Sequence, residues 1–403
     1  MENNKTKIKV VDSVMGEGKT SWAINYMKEN PDKRFLFITP FLDEVERIKN
    51  EIPFFYEPKS IRGSKLHHLK ELLKYGKNIV TTHQLMDRFD FEVQRDIEIG
   101  EYTLILDEVA DVVSMYNKMA KSDTKYFLDK FVTPDENGYL IWNEENMPSD
   151  SMEPISKFYK EMVLCKNKNL ILIKDKIMYW ELPVSIFKCF KEVYILTYIF
   201  QGSLQKAYFD LANIEYEYLS VEKGKLVDFK PTSYETKQEL KSLIKLVDRE
   251  KLNLIGNSAN AFGSTWLMNN VDKGTVIQKR IKLDTENFFK NIAQTKAEEN
   301  MWTTIKGRDD SGSDINGIDD EDEVVSNIST KKSGGKNIKS LLRGVGYGKD
   351  NVHFVPFNIR ATNKYQHKRA LAFLYNVYPH FNITKYFNIK GKPRGIGIDE
   401  DAY

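Results

Sequence analysis

The segment Ser13–Thr20 (SVMGEGKT) decides the fold, because it lies between a short β-rich run and a helical pattern. Residues 8–14 are mostly apolar and β-branched, whereas residues 20–29 favour a helix. A strand that ends in a glycine turn and leads into a helix is the context of a phosphate-binding loop. We therefore predict that this segment binds the phosphates of a nucleotide, with Ser13 standing where a glycine is usual.

The turn contains the small and polar residues that such a loop requires. Gly16 and Gly18 allow successive backbone N–H groups to turn towards the phosphates. Lys19 would contact the β- and γ-phosphates, and the Thr20 hydroxyl would bind Mg²⁺. The predicted nucleotide-binding residues are Gly16, Glu17, Gly18, Lys19, Thr20 and Ser21. The predicted cofactors are ATP and Mg²⁺.

A second motif, LILDEVAD over residues 104–111, ends an apolar run with two adjacent carboxylates. Ligands bind outside the carboxyl ends of strands in open α/β sheets. Asp107 would hold Mg²⁺ through water, and Glu108 would polarise the attacking water. Lys19, Asp107 and Glu108 are therefore the predicted catalytic residues, and Thr20 and Asp107 the predicted metal-binding residues.

Short apolar runs alternate with helical segments over the first two hundred residues, which predicts a parallel sheet covered by helices on both faces. The fold class is thus α/β. The helical runs include FLDEVERIKNEI over residues 41–52. The predicted strands lie at residues 8–14, 35–39 (FLFIT), 78–81, 102–106 (YTLIL), 169–173, 193–197 (VYILT) and 214–219.

The 403 residues exceed the roughly 250–300 at which single hydrophobic cores stop growing, so we expect two domains. The first would cover residues 1–222 with an insertion at about 115–168, followed by a linker over 223–235. The second would cover residues 236–403, with a strand at LNLIG (252–256), a strand at HFVPF (353–357) and a helix over about 366–375. A stretch rich in Asp, Ser and Gly predicts a flexible loop over about 308–336.

Composition excludes several other classes of protein. Two cysteines without a CxxC pair argue against a zinc site and against a disulfide-stapled secreted fold. No apolar stretch reaches the roughly 18 residues that a membrane span needs, and the N-terminus lacks a signal-peptide core. We therefore expect a cytoplasmic protein without a membrane partner. The net charge of +2 neither indicates nor excludes nucleic-acid binding, which depends on local charge.

The DEVAD sequence resembles the DExD/H box of superfamily-2 helicases, and the resemblance is specific over residues 14–111 and loose over 223–403. It implies two RecA-like P-loop NTPase domains with parallel sheets, the second of them incomplete. It also implies an ATP-dependent helicase or translocase that acts on nucleic acid, with single-stranded or forked DNA as the expected partner. Similarity to phage replicative helicases implies a role in phage DNA replication or recombination, in the host cytoplasm.

The resemblance also assigns residues that contact nucleic acid. TPFLDE (39–44) looks like motif Ia, TTHQL (81–85) like the turn that grips the tracking strand, and FNIRATNKY (357–365) like motif V. LTYIF (196–200) stands where motif III is expected, although Tyr198 and Ile199 depart from it. The predicted nucleic-acid-binding residues are Thr39, Pro40, Thr81, Thr82, His83, Arg360, Thr362 and Asn363.

One family feature is missing from the sequence. Such motors carry an arginine-rich motif VI after motif V, and its arginine is worth on the order of 10³–10⁵ in rate. No such motif follows Asn363, so we expect the arginine to come from elsewhere, with Arg343, Arg360 and Arg394 as candidates. Two alternatives therefore stay open, a non-helicase P-loop NTPase and a regulatory nucleotide-binding protein, and the sequence does not give the oligomeric state.

Overall fold

The chain divides into two compact units, Met1–Ser242 together with Pro379–Tyr403, and Leu243–Tyr378. The computed structural model describes residues 6–61, 63–144, 157–173, 177–258, 260–305, 336–345, 353–357, 365–377 and 381–391. Of these residues, no helix is long and apolar enough to cross a membrane. The predicted loop over about 308–336 lies almost entirely outside the described residues.

The strands and helices of the described residues are numbered in chain order. The strands are β1 (Lys7–Asp12), β2 (Phe35–Thr39), β3 (Phe55–Tyr56), β4 (Asn78–Thr82), β5 (Thr103–Asp107), β6 (Val113–Met115), β7 (Val132–Pro134), β8 (Leu140–Trp142), β9 (Leu170–Ile173), β10 (Ile177–Glu181), β11 (Glu192–Thr197), β12 (Glu217–Glu222), β13 (Lys225–Asp228), β14 (Asn300–Thr303) and β15 (Ala370–Phe373). The α-helices are α1 (Lys19–Glu29), α2 (Leu42–Glu51), α3 (Lys65–Lys74), α4 (His83–Met86), α5 (Phe91–Ile99), α6 (Lys121–Lys130), α7 (Tyr159–Lys166), α8 (Ser185–Lys188), α9 (Leu204–Leu211), α10 (Tyr234–Ser242), α11 (Glu250–Asn253), α12 (Ser264–Asn270), α13 (Val276–Asn287), α14 (Ile338–Leu341) and α15 (Phe381–Gly391).

The main sheet of the first unit has the strand order β13-β12-β1-β11-β5-β2-β4-β3. All its neighbours pair in parallel except β12 and β13, which are antiparallel. Successive residues of a strand face opposite sides of a sheet. Accordingly Val10 belongs to the apolar core on one face and Val11 to the core on the other, and Leu104 and Ile105 divide in the same way. The first unit is thus α/β with a large, mostly parallel sheet that is buried on both faces.

The segment between β5 and β11 lies outside the main sheet. Strands β6, β10 and β9 form a separate antiparallel sheet, and β7 and β8 form a hairpin. Phe158 packs against Phe127 and Phe131 with ring centroids 5.6 and 5.4 Å apart, which gives this segment its own aromatic core. The prediction that residues 169–173 resume the main sheet is therefore wrong, because β9 pairs antiparallel with β10 instead.

Helix α15 returns to the first unit near the end of the chain. The buried Tyr386 hydroxyl donates to the Glu181 carboxylate, which also accepts from the Tyr139 and Tyr208 hydroxyls at 2.7 and 3.3 Å. Burial, and then the charge of Glu181, raise the pKa of Tyr386 well above its ordinary value. The domain boundaries differ from prediction at two points. The expected linker over 223–235 contains β13, which β12 holds in the main sheet, and residues after 378 belong to the first unit.

Replacing Tyr386 with alanine is expected to lower the free energy of unfolding by about 3 kcal/mol, because it empties a fully buried site. Phe381→Ala on the same helix is the matched control, since Phe381 is exposed. Urea unfolding of the two variants checks the prediction. Equal losses in both would show that α15 does not close the core of the first unit.

The second unit contains one parallel pair, β14 and β15, among its described residues. Residues 366–375 were predicted as a helix, but β15 alternates between buried Ala370 and Ala372 and exposed Leu371 and Phe373. This period of two is the pattern of a strand. The predicted strand at 252–256 is instead the end of α11 and a 3₁₀ turn, and 353–357 forms only a bridge at Phe354.

Candidate nucleotide-binding site at the carboxyl edge of the main sheet

The register of three neighbouring strands brings the two predicted motifs to one edge of the sheet. Asp12, the last residue of β1, lies opposite Thr197 of β11. Leu196 of β11 in turn lies opposite Asp107, the last residue of β5. The glycine turn therefore begins one strand away from the carboxylate pair, at the carboxyl edge where α/β sheets bind ligands.

The glycine turn has the backbone that the sequence predicts. Gly16 and Gly18 have φ angles of 89° and 84°, in the left-handed region that favours glycine. A Cβ at either position would meet no atom within 4 Å, so backbone conformation rather than lack of space requires glycine. Helix α1 starts at Lys19 and directs its positive N-terminal end at this turn. Glu17 and Ser21 are exposed beside it.

Lys19 folds back onto its own turn. Its Nζ donates to the carbonyl oxygens of Ser13 and Val14 at 2.6 and 3.2 Å. Burial lowers the pKa of the Lys19 ammonium, while the negative charges of Glu108 and Asp107 oppose that shift. A partly desolvated cation therefore stands between the turn and the carboxylate pair.

Asp107 is approached by hydroxyl groups from two other elements. The Thr20 hydroxyl lies 3.5 Å from Asp107 Oδ1, and the Thr39 hydroxyl lies 3.4 Å from Oδ2. Both distances are long for hydrogen bonds, so neither hydroxyl binds the carboxylate tightly. Burial, and then the charges of Glu44 and Glu108, raise the pKa of Asp107 to about 7.

Glu108 has a strained backbone. Its φ is 66°, a left-handed conformation that is uncommon for residues other than glycine. The backbone N–H of Glu108 donates to the Leu196 carbonyl at 2.9 Å, which holds the residue at the end of β11. Such conformations cost about 1–3 kcal/mol and concentrate at functional sites.

The raised pKa of Asp107 predicts a pH-dependent stability. The folded protein holds this proton more tightly than the unfolded chain, so the stabilisation is complete at acidic pH and is lost as the pH rises through about 7. This loss begins at the unfolded pKa of about 4 and is complete above about 7. Asn cannot ionise, so Asp107→Asn is expected to be more stable than the parent by on the order of 2–4 kcal/mol at pH 8, and similar to it at pH 4.

Urea unfolding at the two pH values checks this prediction. Asp129→Asn, at an exposed carboxylate, is the control. Asp87, whose pKa burial also raises to about 7, titrates in the same window and contributes equally to all three proteins. An equal gain for Asp107→Asn at both pH values would show that packing rather than ionisation is responsible.

Five of the predicted nucleic-acid-binding residues lie in the described part of the first unit. Thr39 is fully buried with its hydroxyl towards Asp107, and Thr81 is 4% exposed, so neither side chain faces solvent where a strand would bind. The assignment of these two threonines to nucleic acid stays a prediction. Pro40 and Thr82 are half-buried, and the His83 ring lies with Nε2 3.0 Å from the Asp107 carbonyl oxygen.

The remaining predicted residues cannot be placed in the site. Arg360, Thr362 and Asn363 lie outside the described residues, as does Arg394. Arg343 is described and belongs to the second unit.

Two polar residues at this edge were not predicted from the sequence. The Asp12 carboxylate accepts the backbone N–H groups of Ile199 and Phe200, both at 2.9 Å. The side-chain oxygen of Gln205 accepts the backbone N–H of Ala110 at 2.8 Å. A carboxylate at the end of a buried strand is unusual and could have indicated Asp12. Gln205 lies in an ordinary amphipathic helix and gave no signal.

The Ser13 hydroxyl explains the departure from glycine at the first position of the loop. It accepts the backbone N–H of Val221 on β12 at 2.9 Å, while the Ser13 N–H donates to the Thr197 carbonyl on β11 at 3.2 Å. The loop is therefore fixed to both neighbouring strands before its glycines begin.

These residues fit a nucleoside triphosphate with a divalent cation. Mg²⁺ is usually bound through one or two protein oxygens together with phosphates, and Thr20 and Asp107 present two such oxygens. Gly16, Gly18 and Lys19 supply the N–H groups and the cation that phosphates require.

Comparisons with known proteins divide the chain by family models, and the C-terminal model includes helix α15, which packs in the first compact unit. Residues 113–180 match the family model of the YonV middle domain, and residues 238–403 match that of the YonV C-terminal Rossmann-like domain. The SPbeta prophage-derived uncharacterized protein YonV of Bacillus subtilis (strain 168) is 36% identical over 410 residues, covering 98% of this chain and 90% of that protein. The expected phage origin agrees with the prophage origin of this relative. Similarity at this level over nearly the whole chain shows that the protein belongs to the YonV family.

Proposed function

We propose that this protein is an ATP-dependent nucleic-acid translocase or helicase that acts on single-stranded or forked DNA in phage replication or recombination. The observation that carries the proposal is the convergence of Thr20 on Asp107, at 3.5 Å, beside a lysine that belongs to a glycine turn. The three residues come from the ends of two strands that are separated by β11. Such an arrangement suits the phosphates of a nucleotide and their counter-cation.

Each residue has a role that follows from its surroundings. Lys19 would leave the carbonyls of Ser13 and Val14 for phosphate oxygens, since an anion is a better partner for a partly desolvated cation. Thr20 and Asp107 would hold Mg²⁺, and Asp107 would then stay ionised despite its burial. When bound, Mg-ATP supplies the phosphoanhydride bond whose hydrolysis drives the cycle.

Glu108 is the residue that we assign to the attacking water. Its left-handed backbone and its bond to the Leu196 carbonyl fix the start of its side chain at the sheet edge. A carboxylate held in this way can accept a proton from water as general base. Its neighbour Asp107 would bind the cation, so the two carboxylates would have different roles.

The nucleic-acid part of the proposal rests on the resemblance of DEVAD and its flanking motifs to superfamily-2 helicases. That resemblance suggests a RecA-like first domain, a second RecA-like domain over residues 236–403, and an arginine from elsewhere that substitutes for motif VI. The turn at Thr82 and His83 supports a connection between the expected nucleic-acid strand and the nucleotide-binding site, because the His83 ring contacts the Asp107 carbonyl at 3.0 Å.

Steady-state ATP hydrolysis with and without oligo-dT single-stranded DNA tests the proposal. We expect DNA to stimulate turnover, and we expect this stimulation to weaken steeply between 50 and 200 mM salt (roughly the range over which phosphate contacts are lost). Forked duplex DNA in the same assay tests unwinding. Tight ATP binding without turnover under any of these conditions would leave a regulatory nucleotide-binding protein instead.

A further inference from the structure

We propose that Asp12 and Gln205 are positioning residues that hold the phosphate loop (residues 13–20) and the acidic turn (residues 107–111) at fixed distances from each other, through the segment of residues 196–205. The inference rests on the proposed ATP hydrolysis and deepens it. Neither residue touches the expected position of the nucleotide. Both act on the backbone of the segment that lies between the two catalytic elements.

The end of β11 is bonded on both sides. Its Leu196 carbonyl accepts the Glu108 N–H at 2.9 Å, and its Thr197 carbonyl accepts the Ser13 N–H at 3.2 Å. Two successive residues of one strand therefore bridge the proposed general base and the start of the phosphate loop. Any shift of this strand end must move one catalytic element relative to the other.

Asp12 fixes the turn that follows. Its carboxylate, in a residue only 8% exposed, accepts the N–H groups of Ile199 and Phe200 with separate oxygens. Ile199 has a φ of 60°, which is a genuine outlier for a β-branched residue. Because the Ile199 side chain is 57% exposed, burial does not compensate for the strain. The two bonds to Asp12 therefore help to hold the turn in this conformation, together with the bonds from the Gly202 and Ser203 N–H groups to the Ile199 and Phe200 carbonyls.

Gln205 fixes the other end of the segment to the acidic turn. Its side chain is fully buried, and its oxygen accepts the Ala110 N–H two residues after Glu108. Its Nε2 has no hydrogen-bond partner among the described residues. Burying an unpartnered amide N–H₂ costs stability, so this side chain is a poor choice for packing alone. The hydrogen bond from the Ala110 N–H to its oxygen therefore explains why a glutamine occupies this buried position.

The chemistry gives a reason for this arrangement. A displacement of about 1 Å between reacting groups can cost on the order of 100-fold in rate while ligand binding is little affected. Nucleotide affinity depends mainly on Lys19 and the glycine turn, whereas turnover depends on where Glu108 stands relative to that turn. Positioning residues should therefore affect kcat much more than affinity.

Two variants test the proposal, Asp12→Asn and Gln205→Met. In Asp12→Asn, an amide N–H₂ group replaces one carboxylate oxygen and cannot accept the backbone N–H that this oxygen accepted. In Gln205→Met, the side chain keeps its length but loses the oxygen that accepts the Ala110 N–H. We expect each to reduce kcat at least tenfold, while the affinity for a fluorescent ATP analogue stays within about threefold of the parent. For Asp12→Asn the affinity should not fall, because the substitution removes a negative charge that acts on Lys19.

Tyr102→Phe is the matched control, since it removes a buried hydrogen bond to the Lys77 carbonyl away from the segment. The parent is measured first, so that a parent without ATP hydrolysis overturns the proposed function and this inference together. If the parent hydrolyses ATP and both variants behave like the control, the inference alone is overturned. Loss of affinity in parallel with kcat in both variants would also overturn it, because general damage gives that result. Should one variant fail to fold, the other decides.

Discussion

Replacing Lys19 with alanine is expected to reduce ATP turnover by at least 100-fold, on the order of the effect of removing one preorganised charge donor from an active site. Lys19 belongs to the glycine turn that would hold the phosphates, and burial has already removed part of its hydration. Its interaction with an anion is therefore stronger than that of a surface lysine. The same substitution should weaken nucleotide binding, because Lys19 contacts the phosphates in the ground state as well.

The folded protein should tolerate this change. Lys19 makes only local bonds to its own turn, at Ser13 and Val14, and the substitution removes a partly buried charge. We expect the free energy of unfolding to stay within about 1 kcal/mol of the parent. Lys28→Ala is the matched control, since Lys28 lies on the same helix but is exposed. If Lys19→Ala hydrolysed ATP as the parent does, the glycine turn would not be a phosphate-binding loop.

The local structure around this lysine could be predicted from the sequence because short-range physics determines it. The β-branched run, the glycine turn and the helix are consecutive, and β2 was predicted with the bounds that the structure has, Phe35–Thr39. Buried parallel strands are continuous apolar runs, so their positions can be read directly. The α/β class of the first unit followed from the same runs.

The order of the strands could not be predicted in this way. Strand β11 lies between β1 and β5, although about 180 residues separate it from β1 in the chain. Nothing local to residues 192–197 specifies these partners. Strand β9 has the same apolar character as β11 but pairs antiparallel in the smaller sheet. Composition identified both strands but did not distinguish their sheets.

The second unit shows a different limit. Residues 366–375 contain alanine, leucine and lysine, which have helical propensity, yet residues 370–373 form β15 because Ala370 and Ala372 pack into the core. Tertiary packing overrides a weak propensity in such a short segment. The run TKQELKSLIKLVDREK over residues 236–251 has a helical pattern in the sequence but is likewise divided, with α10 ending at Ser242.

The site was predicted in its chemistry but not in its supporting contacts. The residue types expected at a phosphate loop selected Lys19, Thr20 and Asp107, which the fold brings to one edge. The direction of a side chain at a strand end is not encoded in a motif, so the sequence did not predict that the Thr39 hydroxyl faces Asp107. Asp12 acts through the backbone of a distant segment and matches no pattern of catalytic residues.

Replacing Glu108 with glutamine is expected to give the second large effect, a loss of on the order of 10²–10⁴ in kcat with nucleotide binding retained. Glutamine has nearly the same shape as glutamate and lacks the basic oxygen that accepts a proton from water. The backbone bond from residue 108 to the Leu196 carbonyl is kept, so the position of the side chain should not change. This pattern differs from that of Lys19→Ala, which should lose affinity as well as rate.

The control for this variant can be matched unusually well. Glu101 is also a glutamate with a left-handed backbone, φ 50°, but it is exposed and pairs with Lys191 at 2.7 Å. Glu101→Gln should leave ATP turnover unchanged, so a difference between the two variants reports position rather than residue type or backbone strain. Single-turnover hydrolysis and binding of a fluorescent ATP analogue separate the two effects. If Glu108→Gln kept the parental kcat, the attacking water would be activated by another group, and the strained backbone at residue 108 would need a different explanation.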